Sequence, residues 1–343
     1  MPELRFDPLQ QRWVIIATER ATRPSDLQDR TKYNHVKICP FCEGHESETP
    51  PEIWAKRDQP TSPNSPGWKV RVVPNKFPAL SITPQGKRIG VGYYDRIEGT
   101  GAHEVIIETP QHDVTIADLP PEHIKWVLVA YRERLRDLFK DPRLKYVLIF
   151  KNHGKRAGAS LAHHHSQLIA TPIVPRNVRI KLEAAKSHYE KKERCLICDL
   201  IQQEIETKNR IVSLANGFIA FTPYASRFPF ELFIAPVDHN YSFAEIGDEQ
   251  LEIFSPFLKD ILFRLKTVLQ DPPYNYVLNT SPNTEAKPKL SDQWVTLKYD
   301  YHWHLEIIPR LVRIAGFEWG SGFYINPSIP EDAAQYLREM KAD

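Results

Sequence analysis

The same series of sequence motifs occurs twice, in the same order, in this 343-residue chain. Each copy has a Cys-x-x-Cys pair, a histidine after a strand-like run, an amphipathic helix, a second strand-like run and a His-x-His motif. The first copy begins at Cys39 and the second at Cys195. One such element could arise by chance, but this ordered series occurring twice indicates an internal duplication. The chain is therefore expected to fold as two related halves, residues 1–190 and 191–343.

Apolar residues spaced three and four apart predict one long helix in each half. The residues that share one face of the first helix are Ile124, Val127, Leu128, Tyr131, Leu135 and Leu138. Those of the second helix are Leu251, Phe254, Leu258, Ile261, Leu262, Leu265 and Leu269. Each helix is followed by an Asp-Pro pair, and proline cannot continue a helix. A strand-like run follows each pair, so helices and strands alternate in both halves.

All four cysteines lie in the two Cys-x-x-Cys pairs, which in a chain of this kind indicate a metal site or a redox dithiol. The first pair sits in a polar, proline-containing turn, which favours a metal site. Two thiolates are half of a tetrahedral zinc shell, and the duplication assigns the other ligands by symmetry. The predicted ligands are Cys39, Cys42, His112 and His163 in the first half, and Cys195, Cys198, His239 and His302 in the second. Four protein ligands close each site, so both zinc ions are expected to be structural.

The segment 154–167 combines a basic, glycine-containing loop with three consecutive histidines. Backbone amides of such a loop can approach phosphate oxygens closely. If the chain is extended from His163, then His163, His165 and Gln167 share one face. Alone, the histidine run could also be an incidental polar tract or a weak metal-binding run. The segment before His302 has no glycine, so His165 is expected to carry the chemistry and His304 to be its degenerate counterpart.

The composition is that of an ordinary soluble globular protein, with 41% hydrophobic and 26% charged residues. A formal charge of +2 gives no overall case for nucleic acid or an anionic membrane as a partner. No apolar run approaches the roughly 20 residues that a bilayer span needs. The N-terminus lacks the apolar core of a signal peptide, so a cytoplasmic location is expected.

The segment from Asn152 to Gln167 resembles the active-site motif of the galactose-1-phosphate uridylyltransferases, the duplicated nucleotidyltransferase branch of the histidine triad superfamily. The resemblance covers nearly the whole chain. It departs from the family at His164, where a proline or small residue is usual, and alternation places His164 on the opposite face from His165. The resemblance implies an α+β fold of two tandem histidine-triad-like halves, each a mainly antiparallel sheet with flanking helices.

The same resemblance implies a double-displacement reaction. His165 attacks the α-phosphorus of a nucleotide sugar and expels hexose 1-phosphate, and a second sugar phosphate then takes the nucleotidyl group. Gln167 donates to a phosphoryl oxygen. A glutamine cannot readily deliver a proton to a leaving group, which favours transfer between phosphates over hydrolysis. The resemblance also allows iron in place of zinc at the second metal site, although its two thiolates favour zinc.

The binding residues come from the resemblance as well. The set implied for the nucleotide and its phosphates is Arg20, Arg23, Asn75, Phe77, Asn152, Gly158 and Ser160. The two arginines would come from the neighbouring subunit, which implies a homodimer. Glu318 is implied to bind sugar hydroxyls, with Tyr324 or Asn326 beside it.

The leading functional hypothesis is transfer of UMP between UDP-hexose and hexose 1-phosphate. An alternative on the same scaffold is an ADP-glucose phosphorylase, with free phosphate as the acceptor, because nothing in the sequence separates uracil from adenine. A nucleotide- or nucleic-acid-binding protein without catalysis is a further alternative, against which the intact His165 and Gln167 argue. The least favoured alternative is a protein that uses its zinc sites only as a scaffold for binding other proteins. Such a protein would not need the glycine-containing loop.

Overall fold

Fifteen strands and seven α-helices occur in the residues that the computed structural model describes, 2–17, 39–287 and 294–340. The strands are β1 (Glu3–Asp7), β2 (Arg12–Ile16), β3 (Trp54–Arg57), β4 (Trp68–Pro74), β5 (Arg88–Val91), β6 (Tyr94–Ile97), β7 (Ala102–Ile107), β8 (Tyr146–His153), β9 (His165–Thr171), β10 (Ile211–Ala215), β11 (Phe218–Phe221), β12 (Leu232–Pro236), β13 (Tyr274–Asn279), β14 (His304–Pro309) and β15 (Tyr324–Asn326). The helices are α1 (Pro121–Leu138), α2 (Arg176–Lys192), α3 (Leu196–Thr207), α4 (Asp248–Leu269), α5 (Leu297–Asp300), α6 (Gly316–Ser321) and α7 (Pro330–Glu339).

Ten of the strands form one antiparallel sheet in the order β10-β11-β12-β14-β13-β8-β9-β7-β4-β3. The first half supplies β3, β4, β7, β9 and β8, and the second supplies β10, β11, β12, β14 and β13 in the matching sequence. The two five-stranded units meet where β8 pairs with β13, with Lys151 opposite Tyr276. This pairing satisfies the backbone groups that each unit would otherwise expose at its edge.

The two long helices bury the predicted faces against this sheet. Every residue assigned to those faces is buried, and Pro121 occupies the first turn of α1 as expected for proline. Helices α1 and α4 also pack against each other, so one hydrophobic core runs across both halves. The α+β fold with two related halves is confirmed. The boundary between residues 190 and 191 remains a prediction, and it falls within α2.

The opposite face of the sheet is the one that carries the His-x-His motifs. Along β9, Leu168 and Ala170 belong to the core under the helices, so alternation turns His165 and Gln167 to the other side. Helix α3 packs on the second-half strands of that side. A small sheet, in which β2 pairs antiparallel with β1 and parallel with β15, joins the two ends of the described chain. No helix of the described residues is long and apolar enough to cross a membrane.

Candidate active site and metal centres

The first predicted ligand set comes together beside the start of β9. The ligand atoms of Cys39, Cys42, His112 and His163 all lie within 4.8 Å of one another. Nε2 of His163 is 2.7 Å from the carbonyl oxygen of Thr109, so it donates there and its Nδ1 lone pair faces the sulfur atoms. Burial lowers the pKa of His163 to about 4, which keeps the ring neutral at pH 7. Two cysteine sulfur atoms and two imidazole nitrogens are a donor set that suits zinc.

The second set comes together in the same way. The ligand atoms of Cys195, Cys198, His239 and His302 also lie within 4.8 Å of one another. Sγ of Cys198 is 3.3 Å from Nδ1 of His239 and 3.4 Å from Nδ1 of His302. The local structure differs from that of the first set, because Cys195 directly precedes α3 whereas Cys39 lies in a turn. Both predicted sets therefore form candidate Cys2His2 metal sites, and each leaves no position for a substrate.

His165 has the hydrogen bonding of a neutral nucleophile. Its Nδ1 is 2.8 Å from the carbonyl oxygen of His163, to which the N–H donates, so Nε2 keeps its lone pair. Burial lowers the pKa of His165, so the imidazole is uncharged near pH 7. The ring of Phe41, from the turn between the two cysteines, meets the His165 ring edge-on at 5.2 Å. The His165 ring is thus held by the backbone and by the turn of the first candidate metal site.

Gln167 follows on the same face and is hydrogen-bonded to His103, a residue that no sequence motif indicates. Nε2 of His103, on the neighbouring strand β7, is 2.9 Å from Oε1 of Gln167. The amide oxygen is therefore occupied, and the amide NH2 has no partner among the described residues. This leaves the NH2 available as a donor, and its predicted hydrogen bond to a phosphoryl oxygen remains a prediction.

The predicted phosphate loop leaves the end of β8. The side chain of Asn152 accepts a 2.8 Å hydrogen bond from Asn275 of the second half, and Asn275 also donates to the carbonyl of Ala157. Gly158 has a φ of +92°, and a side chain there would point at the Asn152 amide. Ser160 is exposed on the same loop. Asn152 thus lies at the end of β8 and Gly158 and Ser160 in the loop after it, and Asn275 of the second half braces both segments.

Gly154 is required at its position by both conformation and space. Its φ is +83°, and a Cβ there would lie 2.8 Å from Cβ of Pro273. We expect Gly154→Ala to destabilise the protein by about 2–3 kcal/mol and to lower activity, because the loop must shift. Gly217→Ala is the matched control, since its φ is +80° but no atom lies within 4 Å. Urea unfolding of both variants checks this, and equal losses would contradict the steric account.

The predicted nucleotide residues Asn75 and Phe77 lie just after β4, beside His103. The backbone N–H of Asn75 donates to the carbonyl of His103 at 2.8 Å, and the Asn75 side-chain oxygen accepts the N–H of Phe77. The Phe77 side chain is 82% exposed, so its ring is accessible to a base. Their roles in nucleotide binding remain predictions.

Other predicted residues are not brought to this site within the described chain. Arg20 and Arg23 lie outside the described residues. Glu318 accepts the N–H of Ala315 and so caps its own helix α6. Tyr324 and Asn326 lie on β15, which pairs with β2 and not with the large sheet.

The Asn326 side chain is engaged within the protein, and its predicted place beside the sugar remains a prediction. Its side chain is buried, its NH2 donates to the carbonyl of Ser226 at 2.9 Å, and its oxygen accepts the N–H of Ser328. Both ends of the amide are therefore used within the protein, and in this arrangement Asn326 holds β15 in place. The ring of Tyr324 packs against Phe228.

The position equivalent to His165 in the second half is closed off from solvent. His304 is 0% exposed and stacks on Phe233 at 4.5 Å. Glu306 takes the place of Gln167 and is paired with Lys181 and Arg227. Burial opposes ionisation of Glu306, but these two cations hold its pKa well below its usual range. A carboxylate repels phosphate, so this arrangement suits the predicted degenerate role of His304.

A buried ion pair on the helix side of the sheet contacts the backbone of His165 and was not predicted. Nζ of Lys151 is 2.6 Å from the Glu108 carboxylate and 3.2 Å from the carbonyl oxygen of His165. Both side chains are fully buried, and Ser166 donates to Glu108 as well. The pair fixes the backbone at the start of β9. A single lysine in a strand-like run gives no sequence signal for such a contact.

Comparison with known proteins identifies the family. Models of the galactose-1-phosphate uridyl transferase N-terminal and C-terminal domains match residues 1–175 and 181–343. The chain belongs to the galactose-1-phosphate uridyl transferase family. The resemblance noted in the sequence is thereby confirmed, and the protein is an enzyme of a nucleotidyltransferase family.

Relatives within the galactose-1-phosphate uridyl transferase family carry two different activities. The ADP-glucose phosphorylase of Arabidopsis thaliana is 37% identical over 344 residues, covering 99% of this chain and 93% of that protein. A galactose-1-phosphate uridylyltransferase of Thermotoga maritima is 29% identical over 351 residues, covering 100% of both. The crystal structure of an Arabidopsis thaliana ADP-glucose phosphorylase with bound ADP-glucose matches with a TM-score of 0.82 at 34% identity, covering 100% of both chains. A uridylyltransferase structure matches with a TM-score of 0.74 at 29% identity, covering 99% of this chain and 98% of that one.

Proposed function

We propose that this protein transfers the adenylyl group of ADP-glucose to inorganic phosphate through a covalent intermediate on His165. The chemistry rests on one observation, the neutral His165 ring whose Nδ1 donates to the carbonyl of His163, which leaves the lone pair on Nε2. The choice of nucleotide rests on the greater similarity to the ADP-glucose phosphorylase, 37% identity against 29% for the uridylyltransferase of Thermotoga maritima. The sequence alone favoured uridylyl transfer, and the comparisons support the adenylyl alternative better.

The proposed reaction has two balanced steps. Nε2 of His165 attacks the α-phosphorus, and the bond from that phosphorus to the bridging oxygen breaks, so that glucose 1-phosphate leaves with the electron pair. An oxygen of inorganic phosphate then attacks the same phosphorus, the phosphorus–nitrogen bond breaks, and ADP leaves with His165 restored. Both leaving groups depart without needing a proton from Gln167. Its NH2 instead stabilises negative charge on the phosphoryl oxygens.

The metal sites and the assembly complete the proposal. Each Cys2His2 set would hold one structural zinc ion, with iron as the alternative at the second site. Zinc there would fix the fold around the site. A homodimer would bring Arg20 and Arg23 of one subunit to the nucleotide of the other. Sedimentation of the intact protein tests the dimer, and a monomer at working concentration would contradict it.

The function is tested by trapping the intermediate. The protein is incubated with ADP-glucose or UDP-glucose without an acceptor, and its mass is measured before and after a chase with phosphate or galactose 1-phosphate. We expect an acid-labile AMP adduct from ADP-glucose that phosphate discharges as ADP. No adduct from either nucleotide sugar would overturn the chemistry.

Uridylyl transfer to a hexose 1-phosphate is the second candidate. It is supported by the match of both family domain models and by the Thermotoga maritima relative, which aligns along the full length of both chains. In the same experiment, a UMP adduct that only galactose 1-phosphate discharges would support this candidate and overturn the first.

Gln167→His is expected to shift the enzyme from transfer toward hydrolysis. The substitution leaves the nucleophile in place but adds a group that can move a proton to or from water. We expect the ratio of hydrolysis to transfer to rise about 10-fold or more, with an upper limit set by the roughly 10²–10⁴-fold effects of general acid–base catalysis. The measurement is the partition of the labelled nucleotidyl enzyme between free nucleotide and transfer product. An unchanged ratio would contradict the role given to the glutamine.

A further inference from the structure

His103 contacts two parts of the candidate site that are far apart in the sequence, Gln167 and the loop 75–79. It lies on β7, half-buried, and its Nε2 is 2.9 Å from the side-chain oxygen of Gln167. Its Nδ1 accepts the backbone N–H of Ala79 at 3.2 Å, and its carbonyl accepts the N–H of Asn75. One residue therefore contacts both the amide next to the nucleophile and the loop that carries Phe77.

The N–H of Ala79 selects the tautomer of His103. Because this N–H points at Nδ1, that nitrogen has to carry the lone pair, and in the neutral ring Nε2 then carries the proton. The proton on Nε2 can be donated to Gln167. The side-chain nitrogen of Asn75 lies 3.1 Å from the same Nε2 and would compete as a donor only in the other tautomer.

The direction of this hydrogen bond decides how the Gln167 amide is oriented. The two ends of a glutamine amide have nearly the same shape, so without a fixed partner it can present either end to a ligand. A donor at Oε1 turns the NH2 away from His103. The opposite orientation would present the carbonyl oxygen to a phosphoryl group, which repels it.

We propose that His103 is a positioning residue that orients the Gln167 amide for phosphoryl transfer. It would act through Gln167, without touching the substrate. This role rests on the proposed function, since it needs a phosphoryl group beside Gln167. By binding the 75–79 loop through Ala79 and Asn75, His103 also places that loop and the amide in a fixed relation.

The role is tested in single turnovers of the full-length enzyme with ADP-glucose. His103→Phe keeps a ring but removes the donor, and His103→Asn keeps an amide that is too short to reach Gln167. We expect both to slow formation of the nucleotidyl enzyme about 10-fold to 100-fold, the size of an effect on transition-state hydrogen bonding, with a smaller change in KM. His103→Gln places an N–H at a similar reach and is expected to restore most of the rate.

A double-mutant cycle separates positioning from general structural support. If His103 acts through Gln167, then His103→Phe in a Gln167→Ala background slows nucleotidylation less than about twofold further. Equal slowing in both backgrounds, or no rescue by His103→Gln, would overturn the proposal. Metal content and melting temperature of each variant show whether it is folded. Failure of the wild-type enzyme to form any adduct would overturn the proposed function itself, whereas a normal rate in His103→Phe would overturn only the role of His103.

Discussion

His165→Gly is expected to lower nucleotidyl transfer about 10⁴-fold or more, because the reaction then has no atom to carry the nucleotide. The zinc content is expected to stay unchanged, since His163 and not His165 belongs to the metal cluster. The substitution removes the imidazole but leaves a space of its shape between the backbone and Phe41. Free imidazole is therefore expected to restore part of the nucleotidylation.

The matched control for this variant is His304→Gly at the equivalent position of the second half. His304 stacks on Phe233 and is fully buried, so its removal should lower stability by about 2–4 kcal/mol through lost packing while nucleotidylation persists. Peptide mass spectrometry of the trapped wild-type enzyme locates the adduct. An adduct on His164 or His304, or full turnover in His165→Gly, would contradict the assignment.

The ring of His164 lies in an aromatic stack, apart from His165. Its ring stacks on that of His153 at 5.0 Å with an angle of 18°, and His153 in turn stacks on Tyr274. His153 is also hydrogen-bonded to Asp271, so the stack joins the first half to the second. His164 thus lies on the other side of the strand from His165, as the alternation predicts.

Features set by local periodicity or by the duplication could be predicted from the sequence. The buried faces of α1 and α4 follow from a helical repeat, and both metal clusters follow from matching His112 with His239. Because of the duplication, the ligand positions of one half predict those of the other, and this prediction does not require the strand pairing to be known. Local periodicity and an internal repeat can both be read from a single sequence.

Features that depend on how strands pair could not be predicted in this way. His103 contacts Gln167 because β7 pairs with β9. Lys151 contacts the His165 carbonyl because β8 also pairs with β9. The union of two five-stranded units through β8 and β13 is a long-range pairing of the same kind. The burial of Asn326 depends on β15 joining β2, which lies more than 300 residues earlier in the chain.

Removing one thiolate from either metal site is expected to have the largest effect on stability. Cys42→Ser and Cys198→Ser should each lower the zinc content from two ions per chain to about one. We expect each to lose several kcal/mol in the free energy of unfolding. The loss should be below the roughly 10–16 kcal/mol of apparent binding energy in zinc-finger peptides, because here the sheet and core remain. Metal analysis and denaturant unfolding measure both effects, and a wild-type protein with almost no metal and full stability would contradict the assignment.

The two thiolate variants are expected to differ in activity because, among the described residues, the first candidate metal site contacts His165 and the second does not. The carbonyl of His163 holds Nδ1 of His165, and Phe41 lies in the turn that Cys42 closes. Loosening that turn frees the His165 ring to rotate, so Cys42→Ser should slow nucleotidylation about 10-fold more than Cys198→Ser, as expected when a reacting group loses its orientation. Single-turnover rates at a temperature where both variants are folded provide the comparison. Equal rates would mean that the first metal site stabilises the fold without orienting His165.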